Sequence, residues 1–446
     1  MQLENLAATV LDQARRIGAT AGDVLIASGE SFSAGVRLGE VEKIQQSQEK
    51  RMGLRLFVNQ SSAITSTADF THDALTALVE ETVALAKATA ADDFSGLPEQ
   101  HLLARDIPDL DLHDDTVTFS PEEKIALARE GEAAALAMDS RITNSEGAEF
   151  SNGTHEVLYA NSLGFVGRYL TTSYSLTVVP VASQDGAMQR DYWYSSHRKF
   201  GRLESPAAIG KKAAERTLRR LGARRVKTQE APVVFDPQMA ASLLRHLAGA
   251  VSGSALYRKT SFLLGKLGEQ LAPHSVSIID DARIPSALGS KPFDGEGLPT
   301  QRTVIVKDGI LNSYLLDSYS ARKLGMHPTG SASRSFSDAP AASTTNLFLE
   351  PGTASPAEII RSVRSGLYVT ELSGFGVNPV TGDYSRGATG LWIENGELAY
   401  PVEEITIAGN LLTMFQNIEM IGNDLELRST VAAPTVKIAQ MTIAGE

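Results

Sequence analysis

The sequence contains no cysteine in its 446 residues. This absence excludes disulfide bonds, thiolate metal sites, iron–sulfur clusters and cysteine nucleophiles. The sequence also lacks any run that approaches the roughly 18 apolar residues of a transmembrane helix, so we expect no membrane partner. Residues 1–18 carry acids and arginines where a secretory signal needs an apolar stretch, which favours a cytoplasmic location.

Acidic residues outnumber basic ones, with 53 Asp and Glu against 41 Lys and Arg and a net charge of −12. This balance argues against a nucleic-acid partner. One basic segment, residues 211–227, follows the capping pair Ser205-Pro206, and we interpret it as a surface helix with solvated cations. The aromatic segment 190–200 is interpreted as a packed hairpin face, with a peptide or ligand platform as the alternative.

The common catalytic motifs are also missing. There is no GxSxG elbow and no GxxxxGK[ST] phosphate loop. His155-Glu156 begins a zinc-protease pattern, but no second histidine follows at the required spacing. Gly374-Phe375-Gly376 begins a dinucleotide pattern, but Pro379 stands where the third glycine is needed. The acidic segment 109–115 lacks the glycine and glutamate of an EF-hand loop.

The periodicity of apolar residues predicts an α+β protein: a mixed α/β N-terminal domain followed by a β-rich C-terminal domain with peripheral helices. Helical spacing covers 3–17, 73–90, 121–138 and 238–251, and strand-like patterns cover 22–28, 31–39, 42–66 and 141–200. We expect domains at 1–228 and 229–446, with the first divisible into 1–91 and 120–228 around an acidic linker. Asp308-Gly309 and Asn395-Gly396 each predict a hairpin turn.

Several long segments, in order along nearly the whole chain, resemble the TldD/PmbA family and, within it, the PmbA (TldE) branch. They are RDYWYSS (190–196), SGSALYRKTSFL (252–263), PFDGEG (292–297), SYSARKLG (318–325), GVNPVTGDYSRGATGLWIENGE (376–397), EITIAGNL (404–411) and GNDLELRS (422–429). The resemblance implies that one helix in the TldD branch carries HExxxH and that a later cysteine completes a zinc site. The comparable helix here, within 243–259, has only His246, with Leu247 and Val251 where the glutamate and second histidine would stand.

The resemblance therefore implies a non-catalytic subunit with no catalytic residue and no metal ligand of its own. Zinc is expected in a TldD-like catalytic partner, with which the chain would form a heterodimer that degrades or processes unfolded peptides. A homodimer is expected as an option for the isolated chain. The resemblance also implies that Gly374 and Gly376 contact the peptide backbone, and we add Phe375 and Arg386 to the candidate peptide-binding residues. For Arg386 we favour an ion pair with Asp383 that holds the turn over direct binding of a peptide carboxylate.

Two alternatives stay open at the level of sequence. The chain could be a stand-alone peptide hydrolase with an unrecognised site around His246 and Glu269. It could instead be a regulator that binds other proteins, of the type described as modulators of DNA gyrase.

Overall fold

The first half of the chain is built on one long antiparallel sheet. In the computed structural model, which describes residues 3–446, its elements are α1 (Leu3–Arg16), β1 (Ala21–Arg37), β2 (Glu40–Val58), β3 (Ser61–Thr67), α2 (His72–Ala88), α3 (Pro121–Leu136), β4 (Ile142–Asn161), β5 (Val166–Gln184), β6 (Ala187–Arg190), β7 (Trp193–His197) and α4 (Pro206–Leu218). The strand order is β3-β2-β1-β4-β5-β6, and β7 pairs with β5.

The helices cover one face of this sheet because the strands alternate buried and exposed side chains. Under α1 and α2 lie the even-numbered positions of three strands, Val24, Ile26, Leu54, Leu56, Leu158 and Ala160. Under α3 and α4 lie Phe150, Leu176 and Val178. The helix predicted from residue 121 begins with the expected capping box, in which Ser120 and Glu123 satisfy each other's backbone N–H groups.

The strands predicted at 22–28 and 31–39 are one continuous strand, β1, so the predicted break at Gly29-Glu30 is wrong. Both residues are paired on two sides, with β2 and with β4. A Cβ on Gly29 would lie 2.2 Å from Nδ1 of His155, so the glycine makes room for a neighbour inside the sheet.

The second half contains three sheets and five helices among the described residues. Its elements are β8 (Gln229–Phe235), α5 (Pro237–Ala250), α6 (Gly253–Tyr257), β9 (Ile278–Asp281), β10 (Arg302–Lys307), β11 (Ile310–Leu311), α7 (Ser318–Leu324), β12 (Ala332–Ser333), β13 (Ala341–Ala342), β14 (Leu347–Leu349), α8 (Pro356–Arg361), β15 (Ser365–Ser373), β16 (Asp383–Glu394), β17 (Glu397–Asn410), α9 (Leu411–Gln416), β18 (Ile418–Ile421), β19 (Val431–Ala432) and β20 (Val436–Ala444). The largest sheet has the order β17-β16-β15-β8-β20-β18, and an added β17–β20 pairing closes it into a ring. The buried face of α5 belongs to the core of this ring.

The two predicted hairpins are confirmed. Asp308-Gly309 joins β10 to β11, and Asn395-Gly396 joins β16 to β17, with positive φ at all four residues as a type I′ turn requires. The mixed first half and strand-rich second half confirm the predicted α+β class. No helix within residues 3–446 is both long enough and apolar enough to cross a membrane.

The acidic segment 92–119 runs against the second half of the chain. The guanidinium of Arg322 on α7 donates to the carbonyls of Phe94 (2.8 Å), Gly96 (3.0 Å) and Leu97 (3.3 Å). The Tyr319 hydroxyl donates to Asp92 at 2.7 Å. These bonds fix the segment in place on α7.

The interpretation of residues 211–227 as a wholly solvated cationic face is wrong in one respect. Arg216 of α4 is only 5% exposed, and it lies between the carboxylates of Asp191 (Nε to Oδ1, 3.3 Å) and Asp236 (Nη1 to Oδ2, 3.4 Å). The helix therefore packs cations as well as apolar groups between the two halves, because buried carboxylates on both sides compensate the charge.

Candidate functional site

Helix α5 carries His246, the residue that the family resemblance singles out. The helix begins at the N-cap Asp236, whose carboxylate accepts from the Met239 N–H at 2.9 Å. Its apolar side, including Leu243, Leu247 and Ala250, is buried in the ring core. That packing leaves His246 on the flank of the helix, where its side chain is half-buried.

The surroundings of His246 are aromatic and cationic. Its ring lies edge-on to Tyr384 of β16 with 6.0 Å between ring centroids. Burial, and then the positive charges of Arg386 and Arg245, lower the pKa of His246, so the imidazole is neutral at neutral pH. Burial raises the pKa of the Tyr384 hydroxyl. Neither Nε2 of His246 nor the Tyr384 hydroxyl has a hydrogen-bond partner in the part of the chain that the structure describes.

These residues do not fit a zinc ion. Zinc in proteins takes histidine nitrogen, thiolate or carboxylate ligands, and the site offers one imidazole under the influence of two cations. Leu247 and Val251 are both fully buried in the core and supply no ligand atom. No group of three or more His, Cys, Asp or Glu side chains that could hold a metal occurs within residues 3–446.

The glycines of the predicted peptide segment are required by the local backbone. Gly374 follows the end of β15 with φ +77°, a left-handed conformation that side chains rarely adopt. A Cβ on Gly376 would lie 2.0 Å from the carbonyl oxygen of Ser385, so the glycine allows close approach to β16. Between them, the side chain of Phe375 is fully exposed. This segment therefore presents one aromatic ring on a tight turn.

Arg386 does not pair with Asp383, which corrects the favoured prediction for this residue. Its guanidinium donates to the carbonyls of Leu372 (3.3 Å) and Ser373 (3.4 Å) at the end of β15. Asp383 instead accepts from the Thr381 hydroxyl at 2.6 Å. The reason is geometric, because residues three apart on a strand point to opposite faces.

The end of β15 has one unpaired side. The strand pairs with β8 only over Leu367–Val369. Beyond that point Glu371–Ser373 pairs with β16, and none of the described strands pairs with its other side. An unpaired strand edge can accept an extended peptide through main-chain hydrogen bonds.

The structure thus brings Arg386 to the end of β15, beside His246 and Tyr384, and sets Phe375 at the adjoining turn. It does not join His246 to Glu269, which forms a surface ion pair with Lys266 at 2.9 Å. Tyr384 was missed by sequence reasoning. The signal available was its position two residues before Arg386, which places both on one face of a strand.

Comparison with known proteins finds relatives along the whole length of the chain. Three models of the PmbA/TldA metallopeptidase match it: domain 1 over residues 22–86, the central domain over 114–221 and the C-terminal domain over 228–445. The chain is 40% identical over 445 residues to the metalloprotease PmbA of Escherichia coli O157:H7, an alignment that covers 100% of this chain and 96% of that protein.

Solved structures agree with this result. A protein of Bacteroides thetaiotaomicron described as a modulator of DNA gyrase superposes with a TM-score of 0.92 at 31% identity, covering 99% of each chain. TldE from Thermococcus kodakarensis superposes with a TM-score of 0.88 over 99% of this chain and 100% of that one, and at 20% identity this likeness shows a shared fold. The chain therefore belongs to the PmbA/TldD metallopeptidase family, as the sequence resemblance predicted.

Proposed function

We propose that this chain is the non-catalytic, cytoplasmic subunit of a TldD/TldE-type zinc metalloprotease that degrades or processes unfolded peptides. In this role it forms a heterodimer with a TldD-like subunit, which supplies the zinc and the chemistry. The present chain closes the peptide chamber, shapes the peptide path and stabilises its partner.

The observation that carries the proposal is the set of side chains around His246. A zinc peptidase needs several anionic or neutral ligands and a general base close together. Here a neutral imidazole and a tyrosine hydroxyl lie beside Arg386. Burial and the nearby cations disfavour a further positive charge at this position, such as a zinc ion. Such a site can hold the backbone or a carboxylate of a peptide, but a single imidazole is not a set of zinc ligands.

We further propose that the peptide path runs along the unpaired side of Glu371–Ser373. An extended peptide would add there as a strand, with Gly374 and Gly376 allowing its backbone to pass close and Phe375 packing on its side chains. Arg386 would hold the strand end in place through the two carbonyls that it already contacts.

Native mass spectrometry with metal analysis tests the subunit role. The chain should be purified alone and after co-expression with a TldD-like chain. We expect a one-to-one complex that contains zinc and cleaves an unfolded peptide, and an isolated chain, as monomer or homodimer, that does neither. Stoichiometric zinc together with peptide cleavage by the isolated chain would refute the proposal.

The peptide path is tested in the same complex by Phe375→Ala. We expect KM for an unfolded peptide to rise several-fold with little change in kcat, because Phe375 would bind the ground state and the transition state alike. Val380→Ala, which trims another exposed apolar residue of the same loop, is the matched control and should change neither. An unchanged KM for Phe375→Ala would remove this residue from the path.

One relative favours a second candidate function. Because the Bacteroides thetaiotaomicron protein is described as a modulator of DNA gyrase, this chain could bind gyrase or another protein. Its net charge of −12 points to protein contact and away from direct DNA contact. A pull-down from cell extract that recovers gyrase and no TldD-like chain would favour this role over the subunit role.

A further inference from the structure

A cavity of about 590 Å³ lies where α4, β7 and the start of α5 meet residues 424–433. Its walls include parts of 190–196 and 422–429, two of the segments that carry the family resemblance and that the proposed peptide path does not use. Pockets for small ligands have volumes of about 300–1,000 Å³. The cavity is therefore large enough for a small molecule or the end of a peptide.

Two neighbouring arginines on this cavity differ in their partners. Arg216 lies between the carboxylates of Asp191 and Asp236. Arg219, three residues later, also lines the cavity, but its Nε and Nη2 are buried and hydrogen-bond to no protein group among the described residues. Burial, and then the charge of Arg216, lower the pKa of Arg219. Tyr368, Asp191 and Asp236 offset this lowering only in part. A largely buried guanidinium that no carboxylate contacts directly is costly, so an anion from outside the chain would stabilise it.

Each carboxylate that lines the cavity has a partner other than Arg219. They pair as follows: Glu204 and Glu426 with Arg428, Asp236 with Arg216, Glu215 with Lys212, and Asp424 with Thr435. Three lining cations, Lys211, Arg219 and Arg245, have no ion pair within residues 3–446. The remaining charge in the cavity is positive.

Gln238 gives a second, independent indication of a ligand. It is the second residue of α5, it lines the same cavity, and both its Nε2 and its Oε1 are buried without a hydrogen-bond partner in the described chain. The NH2 and C=O of a primary amide match the C=O and N–H of a peptide group.

Aromatic groups form much of the remaining wall. Tyr192 and Tyr194 stack with ring centroids 6.2 Å apart and 25° between planes, and Trp193 and Tyr368 also line the cavity. Rings of this kind pack well against an apolar side chain. The cavity thus combines a cation, an amide and an apolar surface.

We propose that this cavity binds the C-terminal end of a peptide, with the guanidinium of Arg219 on the terminal carboxylate and the amide of Gln238 on the last peptide group. The planar guanidinium suits a carboxylate because two parallel N–H groups can meet its two oxygens. All the contacts lie within one chain. The inference therefore does not depend on the proposed heterodimer, and the isolated full-length chain can test it.

Trp193 provides the measurement. The sequence contains two tryptophans, and the other, Trp392, is buried in the ring core. In the Trp392→Phe chain, fluorescence reports on the cavity alone. The probes are acetyl-Ala-Leu-Ala with a free carboxylate, the same peptide as its C-terminal carboxamide, and inorganic phosphate. We expect saturable binding of the acid and at least about tenfold weaker binding of the carboxamide, because a hydrogen-bonded charge is lost.

Variants assign the contacts. Arg219→Gln should bring the affinity for the acid down to that for the carboxamide, and Gln238→Ala should weaken both peptides. Lys227→Gln removes an exposed cation that does not line the cavity, and it should change neither affinity.

Three results would overturn the inference. They are equal binding of acid and carboxamide by the unsubstituted cavity, full affinity for the acid in Arg219→Gln, and tight phosphate binding without binding of the acid peptide. The first comparison needs no substitution in the cavity, so it holds even if Arg219→Gln fails to fold.

Discussion

Two groups of buried charges lie between the halves of the chain, and they differ in how completely the charges are paired. In the Asp23 cluster, Arg55 donates to Asp23 (Nε to Oδ2, 3.0 Å), Arg334 from the second half contacts the other oxygen, and the Tyr159 hydroxyl donates to the same carboxylate at 3.2 Å. In the cavity described above, Arg216 is paired and Arg219 is not. The paired cluster stabilises the contact between the halves, whereas the unpaired guanidinium of Arg219 would be stabilised by an anion from outside the chain.

The largest expected effect comes from breaking the Asp23 cluster. Burial opposes the ionisation of Asp23, but Arg334 and Arg55 lower its pKa on balance, so the carboxylate is charged. Asp23→Asn would leave two buried guanidinium groups without their anion. We expect the free energy of unfolding to fall by about 3–5 kcal/mol, measured by urea unfolding followed by circular dichroism.

The matched control for this substitution is Asp12→Asn on the exposed side of α1, which should change the free energy of unfolding by less than about 0.5 kcal/mol. If Asp23→Asn and Asp12→Asn lowered the free energy of unfolding equally, the Asp23 cluster would not stabilise the contact between the halves.

A smaller effect is expected at Glu296, a carboxylate that is 1% exposed beside the same cluster. Burial, and then the charge of Asp294, raise its pKa to about 7, and Arg55 offsets part of this rise. Because the folded-state pKa lies above the unfolded value of 4.5, the folded chain holds this proton more tightly. The resulting stability is fully present below about pH 4.5 and is lost as the pH rises through 7.

Glu296→Gln should therefore match the native chain near pH 5 and exceed it near pH 8, by on the order of 2 kcal/mol. The amide oxygen can still accept from the Ser318 N–H, which donates to Glu296 at 2.8 Å. Unfolding at several pH values measures the difference, with the exposed Glu122→Gln as control. Parallel pH profiles for the native chain and Glu296→Gln would contradict the raised pKa.

How much of the fold could be predicted from the sequence depends on whether the deciding interactions are local or lie far apart in the chain. Helices and hairpins depend on local signals, such as the capping box at Ser120 and Glu123 and the turn at Asn395-Gly396, and these predictions are confirmed. The break predicted at Gly29 was wrong because the need for glycine arises from His155, a residue far along the chain. Non-local packing carries no local signal.

The candidate site was predictable only in part for the same reason. The resemblance singled out His246 and the segment around Gly374–Gly376, but the sequence could not place Arg386 against the carbonyls of β15 or Tyr384 against His246. Likewise Arg216 and Arg219 belong to one basic run, and only the folded chain sets one of them between two carboxylates and leaves the other without a direct ion pair.

The smallest expected effect on stability is at Arg219, and its comparison with Arg55 distinguishes the unpaired charge from the paired cluster. Arg219→Gln removes a largely buried charge that forms no direct ion pair, so the free energy of unfolding should stay unchanged or rise by up to about 1 kcal/mol. The identical substitution at Arg55 takes a partner from Asp23 and should lower it by about 3 kcal/mol. Urea unfolding of the two variants in parallel gives the comparison. If Arg219→Gln destabilised the chain as much as Arg55→Gln does, Arg219 would have its counter-charge within the protein, and the case for a ligand at the cavity would fall.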